Sequence, residues 1–127
     1  MKKETEIVHA ALTYKNSKEA EIFFKKILGL KFEKSFELSE NLTEKIFGVK
    51  EKTKIDVYCN DHSYFEIFIS KKENIHFFDH ICIKVDNKKK FIERCKENKI
   101  SPIIVTKGEK KLLFVRDYAG NLFEIKE

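Results

Sequence analysis

The hydrophobic residues of the chain follow two spacings, and the changes between them mark the predicted elements. Residues 7–14 are mostly apolar and bounded by charge, which predicts a first strand. Over residues 18–28 the apolar positions recur three and four places apart, which predicts an amphipathic helix ended by Gly29. Residues 31–38 alternate and predict a second strand, and residues 40–47 predict a short helix.

The remaining pattern repeats the order of the first part. Strands predicted over residues 54–59 and 64–70 complete the first half. The second half is predicted to contain a strand, a helix and three further strands, at residues 77–85, 87–98, 102–106, 111–115 and 122–126. The order strand, helix, three strands is therefore present twice. This indicates an internal repeat in one domain over residues 1–127, with modules at roughly 5–70 and 75–127.

Each half begins with a histidine on its first predicted strand and ends with a glutamate on its last. These residues are His9 and Glu66 in the first half and His80 and Glu124 in the second. The spacing within the pair is longer in the first half because that half contains the extra segment around residues 40–48. Taken singly, His9 fits a core histidine and the glutamates fit solvent-facing strand residues. Their recurrence at the same place in both halves favours a shared role.

Two imidazoles and two carboxylates form the ligand set of a first-row divalent metal, octahedral if waters complete it. Zinc, nickel, cobalt, iron and manganese all accept such ligands, and the residues do not choose among them. A metal with open positions polarises a carbonyl or enolate oxygen. Glu124 or Glu66 then has the catalytic role of moving a proton on the adjacent carbon.

The other titratable residues fit this site less well. His62 lies in a polar loop and is expected to be exposed. His76 precedes His80 by four residues, a separation of about 13 Å in an extended strand and too long for one metal. Asp79 is expected on the opposite side of the strand from His80, whereas Cys82 shares the His80 face and is expected to line the cavity.

Composition narrows the function classes. The net charge is +5, but only two residues are arginines, which argues against nucleic-acid binding. The lysine-rich stretches at 88–90 and 107–111 indicate solvated surface or weak attraction of an anionic ligand. Three cysteines without CxxC spacing indicate reduced thiols, and no apolar run is long enough to span a bilayer. We therefore expect a soluble, cytoplasmic protein without a membrane partner.

With these motifs the chain resembles the vicinal oxygen chelate superfamily, which includes glyoxalases, bleomycin-resistance proteins and extradiol dioxygenases. The resemblance rests on residues 8–9 with the segment AEIFFKKILGL at 20–30, on 65–66, on 79–81, and on FVRDYAGNLFE at 114–124. It implies an α+β fold of two βαβββ modules that form an open half-barrel around a metal site. It also implies a homodimer.

Carried over by position, the resemblance makes His9, Glu66, His80 and Glu124 the metal ligands, a set similar to that of glyoxalase I. Methylmalonyl-CoA epimerase usually has Gln where this chain has Glu66. Glutathione-dependent members carry an arginine shortly after the first ligand, and residues 10–13 contain none. This departure argues against glutathione as the carrier of the substrate.

The leading hypothesis is a metal-dependent lyase or isomerase of the glyoxalase type. It would act on a small carbonyl compound or thioester through an enediolate-like intermediate. A methylmalonyl-CoA epimerase-like enzyme is one alternative. A non-catalytic protein of the bleomycin-resistance kind, which sequesters a small molecule in a cleft lined by phenylalanines, is another. A site that serves structure only is the third.

Overall fold

The computed structural model describes residues 7–73 and 75–127 of the chain. These residues form two four-stranded sheets with helices, an α+β architecture. The first module contains β1 (Ala10–Tyr14), α1 (Ser17–Glu21) with a π-helical continuation (Ile22–Ile27), β2 (Lys31–Leu38), α2 (Glu40–Phe47), β3 (Thr53–Cys59) and β4 (Tyr64–Ile69). The second module contains β5 (His80–Lys84), α3 (Lys88–Glu97), β6 (Pro102–Lys107), β7 (Lys110–Arg116) and β8 (Leu122–Lys126). No helix in the described segments is long and apolar enough to cross a membrane.

The two sheets have the same topology. Their strand orders are β1-β4-β3-β2 and β5-β8-β7-β6. In each sheet the first strand of the module pairs in parallel with the last, and the other pairs are antiparallel. Neither sheet closes on itself in the described part of the chain. This confirms the predicted pair of open βαβββ modules.

The first strand of each module is shorter than the sequence predicted. Residues 7–9 precede β1, and residues 77–79 precede β5. The reason is the length of the partner strand. β4 begins at Tyr64, after the turn over residues 60–63, and β8 begins at Leu122, so the residues before β1 and β5 have little or no strand to pair with. His9 therefore lies just before its strand, and His80 is the first residue of β5.

The helices pack against one side of the sheets and form the core with it. In α1 and its continuation the fully buried side chains are Ala20, Phe23, Phe24 and Ile27. The wider turn of the π-helical segment directs the adjacent Phe23 and Phe24 into the core together. The ring centroids of Phe23 and Phe123 lie 5.1 Å apart. Arg94 Nε donates a hydrogen bond to the Ile27 carbonyl oxygen at 3.1 Å. The modules are thus joined through their helices, which leaves the opposite faces of both sheets free of the core.

The short helix α2 is present as predicted, but its apolar residues are not buried. Ser39 caps its start, and Gly48 ends it in the left-handed conformation at φ 72°. Leu42 and Ile46 are exposed, whereas the small Thr43 is buried. The Phe47 ring contacts that of Phe68 on β4, with centroids 5.3 Å apart. This contact places α2 over one end of the free face of the first sheet. The second module has no equivalent helix among its described residues.

Candidate functional site

In the first module the predicted ligand pair meets on the free face of the sheet. His9 Nε2 lies 3.4 Å from Glu66 Oε1. Glu66 alternates along β4 with the buried Phe65 and Ile67, so its carboxylate points away from the core. The His9 side chain is 42% exposed and that of Glu66 21%, which leaves both accessible to a ligand.

The second module contains an equivalent pair. His80 Nε2 lies 3.7 Å from Glu124 Oε1, and the side chains are 44% and 21% exposed. Phe123 and Ile125, the neighbours of Glu124 on β8, are buried in the core. The sequence-based expectation that Glu124 points away from an apolar face is therefore confirmed.

The two pairs occupy the same register in their sheets. Glu66 lies beside Ala11, two residues after His9, in the parallel pair of β1 and β4. Glu124 lies beside Cys82, two residues after His80, in the parallel pair of β5 and β8. The repeat therefore reproduces the geometry of the pair as well as the order of the elements. Cys82 is exposed on the same face as Glu124, as predicted.

The hydrogen bonding of His80 fixes which ring nitrogen is available. Its Nδ1 lies 3.0 Å from the carbonyl oxygen of Phe78, and a carbonyl oxygen only accepts. Nδ1 therefore carries the proton in the neutral ring. The lone pair of Nε2 then faces the Glu124 carboxylate. Two electron-rich atoms in this position repel each other unless the ring is protonated or a cation lies between them, so the pair can accept either a proton or a cation.

The two pairs do not combine within one chain. Among the described residues, no group of three or more His, Cys, Asp or Glu side chains is close enough to hold a metal. Each module thus presents one imidazole and one carboxylate, a pair that we call a half-site. The helix-mediated packing of the modules explains this separation, because it directs the two free sheet faces away from the shared core.

The turn between β7 and β8 is held by hydrogen bonds to Asp117. Asp117 is buried, and its Oδ1 accepts from the backbone N–H of Ala119 at 3.0 Å and of Asn121 at 2.7 Å. Its Oδ2 accepts from Asn121 Nδ2 at 2.9 Å. Burial raises the pKa of Asp117, and the hydrogen bonds from Asn121 partly offset this. The network fixes the start of β8 and therefore the position of Glu124.

His76 supports the same turn and takes no part in either half-site. Its Nε2 donates to the Ala119 carbonyl at 2.9 Å. Gly120 has φ 83°, and a Cβ there would lie 3.2 Å from the His76 ring. Sequence reasoning excluded His76 as a ligand but did not find this role. The positive-φ glycine in the turn was visible in the sequence, whereas the residue packed over it was not.

The remaining candidates lie as expected. His62 is exposed in the β3–β4 loop, and Asp79 is exposed before β5. Cys95 is fully buried, and burial raises the pKa of its thiol to about 11, which makes it a poor nucleophile.

The second half-site lies in an open groove of about 910 Å³. Leu112, Phe114 and Leu122 contribute its apolar surface beside Glu124 and His80. The free face of the first sheet contains a smaller pocket of about 400 Å³ below α2, lined in part by Phe47, Phe68 and Thr13. The two faces therefore carry equivalent His–Glu pairs but are lined by different side chains.

Two βαβββ modules whose sheets have the same strand order define the fold class. The chain has the glyoxalase-like fold, as the sequence motifs predicted.

Solved structures with this fold include the fosfomycin resistance protein FosX from Listeria monocytogenes. It has a TM-score of 0.72 and 14% identity, and the match covers 97% of this chain and 93% of that one. A glyoxalase family protein from Enterococcus faecalis has a TM-score of 0.69 and 20% identity, with 96% and 97% covered. A variant of the Listeria protein was crystallised with Mn(II) and 1S,2S-dihydroxypropylphosphonic acid; it has a TM-score of 0.73 and 14% identity, with 98% and 93% covered. No protein-family model and no curated protein matches the sequence. At these identities the similarity concerns the fold alone.

Proposed function

We propose that this protein is a divalent-metal-dependent lyase or isomerase of the glyoxalase type, acting on a small carbonyl compound or thioester. The metal ligands are His9, Glu66, His80 and Glu124. The complete site forms between the first module of one chain and the second module of another. The observation that carries the proposal is the equal register of the two His–Glu pairs, with nearly the same exposure and separation.

The donor set fits a first-row divalent ion. Imidazole nitrogen and carboxylate oxygen suit manganese, iron, nickel and zinc. Two protein ligands are fewer than stable metal sites provide, and neither half-site has a third ligand among the described residues. Pairing the half-sites supplies four ligands. The Mn(II) complexes of Listeria FosX, a protein of the same fold, support this class of metal.

The surface of a single chain supports assembly with a second copy. Its solvent-accessible area is 9489 Å² for 15.1 kDa. A monomer of this mass is expected to expose about 7,100 Å². The seven residues outside the described part, 1–6 and 74, would account for at most about 1,250 Å² of the difference. The remaining excess is comparable to the area that each partner buries in a standard interface, about 800 Å².

The exposed apolar side chains lie where such an interface would cover them. Ile7 and Val8, immediately before His9, are 92% and 79% exposed. Phe77 and Phe78, shortly before His80, are 75% and 93% exposed. Apolar residues next to both half-sites are a feature of interaction surfaces. They would be buried if the half-sites paired.

The proposed chemistry assigns proton transfer to a glutamate. When bound, the metal would polarise a carbonyl or enolate oxygen of the substrate. Glu124 or Glu66 would take the proton from the carbon next to the polarised carbonyl group and deliver it to the former carbonyl carbon. The turn held by Asp117 fixes the strand that carries Glu124, and the exposed groove admits the substrate.

Metal analysis of the purified protein tests the ligand assignment. We expect stoichiometric divalent metal in the wild-type protein and none retained after dialysis in His9→Ala or Glu124→Ala. His62→Ala is the matched control, because it removes an exposed imidazole outside both half-sites and should leave the metal content unchanged. A wild-type protein that binds none of manganese, iron, cobalt, nickel or zinc would contradict the proposal.

Proton exchange separates catalysis from binding. An isomerase exchanges a substrate C–H proton with solvent, and NMR in D₂O follows this exchange across a panel of hemithioacetals and acyl-CoA thioesters. We expect exchange with at least one member, lost in Glu124→Ala or Glu66→Ala. Metal-loaded protein that binds these compounds without exchanging any proton would instead indicate a sequestering protein.

A further inference from the structure

The groove beside the second half-site ends in a pair of lysines. Lys107 and Lys110 line the groove and lie directly opposite each other across the hairpin of β6 and β7. Like charges in directly opposed positions of a sheet are destabilising. Among the described residues, no carboxylate lies within 4 Å of either lysine, so neither is neutralised by an ion pair there.

An apolar track connects these lysines to the half-site. On β7, Phe114 lies beside Glu124, and Leu112 lies between Phe114 and Lys110 on the same face. Val105 on β6 is paired with Leu112 and is 45% exposed. From Phe114 to Lys110 the strand advances four residues, which corresponds to about 14 Å.

A solvated lysine surface does not account for this arrangement. Lysines on an edge hairpin discourage pairing with other chains, but they do so from either face of the sheet. Here both lysines face the groove, at the end of an exposed apolar surface that begins at a metal half-site. The groove is lined by three cationic side chains, the third being Arg116, and by one carboxylate, that of Glu124. Arg116 is held by its bond to the Gly120 carbonyl at 2.7 Å, whereas the two lysines have no such partner among the described residues.

We propose that Lys107 and Lys110 form a distal anion subsite for the substrate of the site described above. The inference rests on the proposed function, since the subsite is defined by its distance from Glu124. The substrate is then an elongated molecule with its reacting carbonyl at one end and a carboxylate or phosphate at the other. The connecting part is mainly apolar and lies along Phe114, Leu112 and Val105.

Binding of simple amphiphilic anions tests the subsite without a metal. Octyl phosphate and octanoate, below their micellar concentrations, are titrated into the EDTA-treated full-length protein by isothermal calorimetry. The two probes distinguish a phosphate from a carboxylate preference. We expect the preferred probe to bind at least about tenfold more weakly to K107Q/K110Q, because each lysine contributes a charge-assisted hydrogen bond. The control K111Q removes a neighbouring charge on the opposite face of β7 and should bind as the wild-type protein does.

Two results would overturn the subsite. One is equal affinity of both anionic probes for the wild-type protein and K107Q/K110Q. The other is equal binding of octyltrimethylammonium, which has the same chain and the opposite charge and would reveal apolar association only. Metal content measured on the same preparations separates the two proposals. Unchanged metal binding with unchanged anion binding refutes the subsite alone, whereas absence of metal from the wild-type protein refutes the proposed function.

Discussion

Complementation between chains tests the shared site most directly. One variant combines His9→Ala with Glu66→Ala and removes the first half-site. The other combines His80→Ala with Glu124→Ala and removes the second. All four side chains are partly exposed, at 21–44%, and lie outside the core. We therefore expect each substitution to change the free energy of unfolding by about 0.5 kcal/mol or less, so both variants should fold and assemble.

The metal stoichiometry follows from the pairing of the modules. A dimer with two shared sites holds two ions when both chains are wild type. A homodimer of either variant has no complete site. The heterodimer of the two variants joins one intact first half-site to one intact second half-site, so it should hold about one ion, half the wild-type content.

The assay is metal analysis of the isolated heterodimer. The two variants carry different affinity tags, are co-expressed, and are purified over both matrices in sequence, which removes the homodimers. The homodimers, purified separately, are the controls. A heterodimer that contains no metal would refute a site shared between unlike modules. If each variant homodimer kept half of the wild-type metal, like modules would pair instead.

Two further predictions concern the turn that positions Glu124. Gly120→Ala should lower the free energy of unfolding by about 1–2 kcal/mol from the positive φ, plus the cost of displacing the His76 ring. In a His76→Ala background only the cost of the positive φ should remain. Urea denaturation of the wild-type protein, the two single variants and the double variant measures the free energy of unfolding of each and so separates the two costs. For Asp117, burial raises the pKa, so the folded chain holds this proton more tightly than the unfolded chain. The stability of the wild-type protein relative to Asp117→Asn should therefore decrease as the pH rises from about 4, the ordinary Asp pKa, through the raised value. Thermal denaturation between pH 4 and 7 would contradict the reasoning if that difference stayed constant.

The residues of the candidate site could be predicted because local rules determine their direction. Strand alternation places Glu66 and Glu124 opposite to buried neighbours, and the repeat identifies the matching histidines. The meeting of each histidine with its glutamate follows from the parallel pairing of the first and last strands in a module. This parallel pairing is a feature of the βαβββ fold, and the sequence motifs predicted that fold.

The separation of the two pairs could not be predicted from the same patterns. It depends on which surfaces of the modules pack together, and this is decided by side chains such as Phe23 and Phe123 that meet across the module boundary. Periodicity shows that these rings are buried but not against which partner. The π-helical segment is a further example, since the sequence predicts a helix there but not the wider turn that buries Phe23 and Phe24 together.

The differences between the modules indicate how chemistry and specificity are divided. The register of the His–Glu pair is the same in both, whereas α2 covers part of the free face in the first module and the described residues of the second contain no equivalent helix. The lysine pair lines the groove of the second face. In the proposed function a metal needs its ligands at fixed positions in both modules, whereas a substrate with two unlike ends needs a different lining on each face. The asymmetry is therefore what we expect of a site whose two halves hold one metal together and recognise different parts of one molecule.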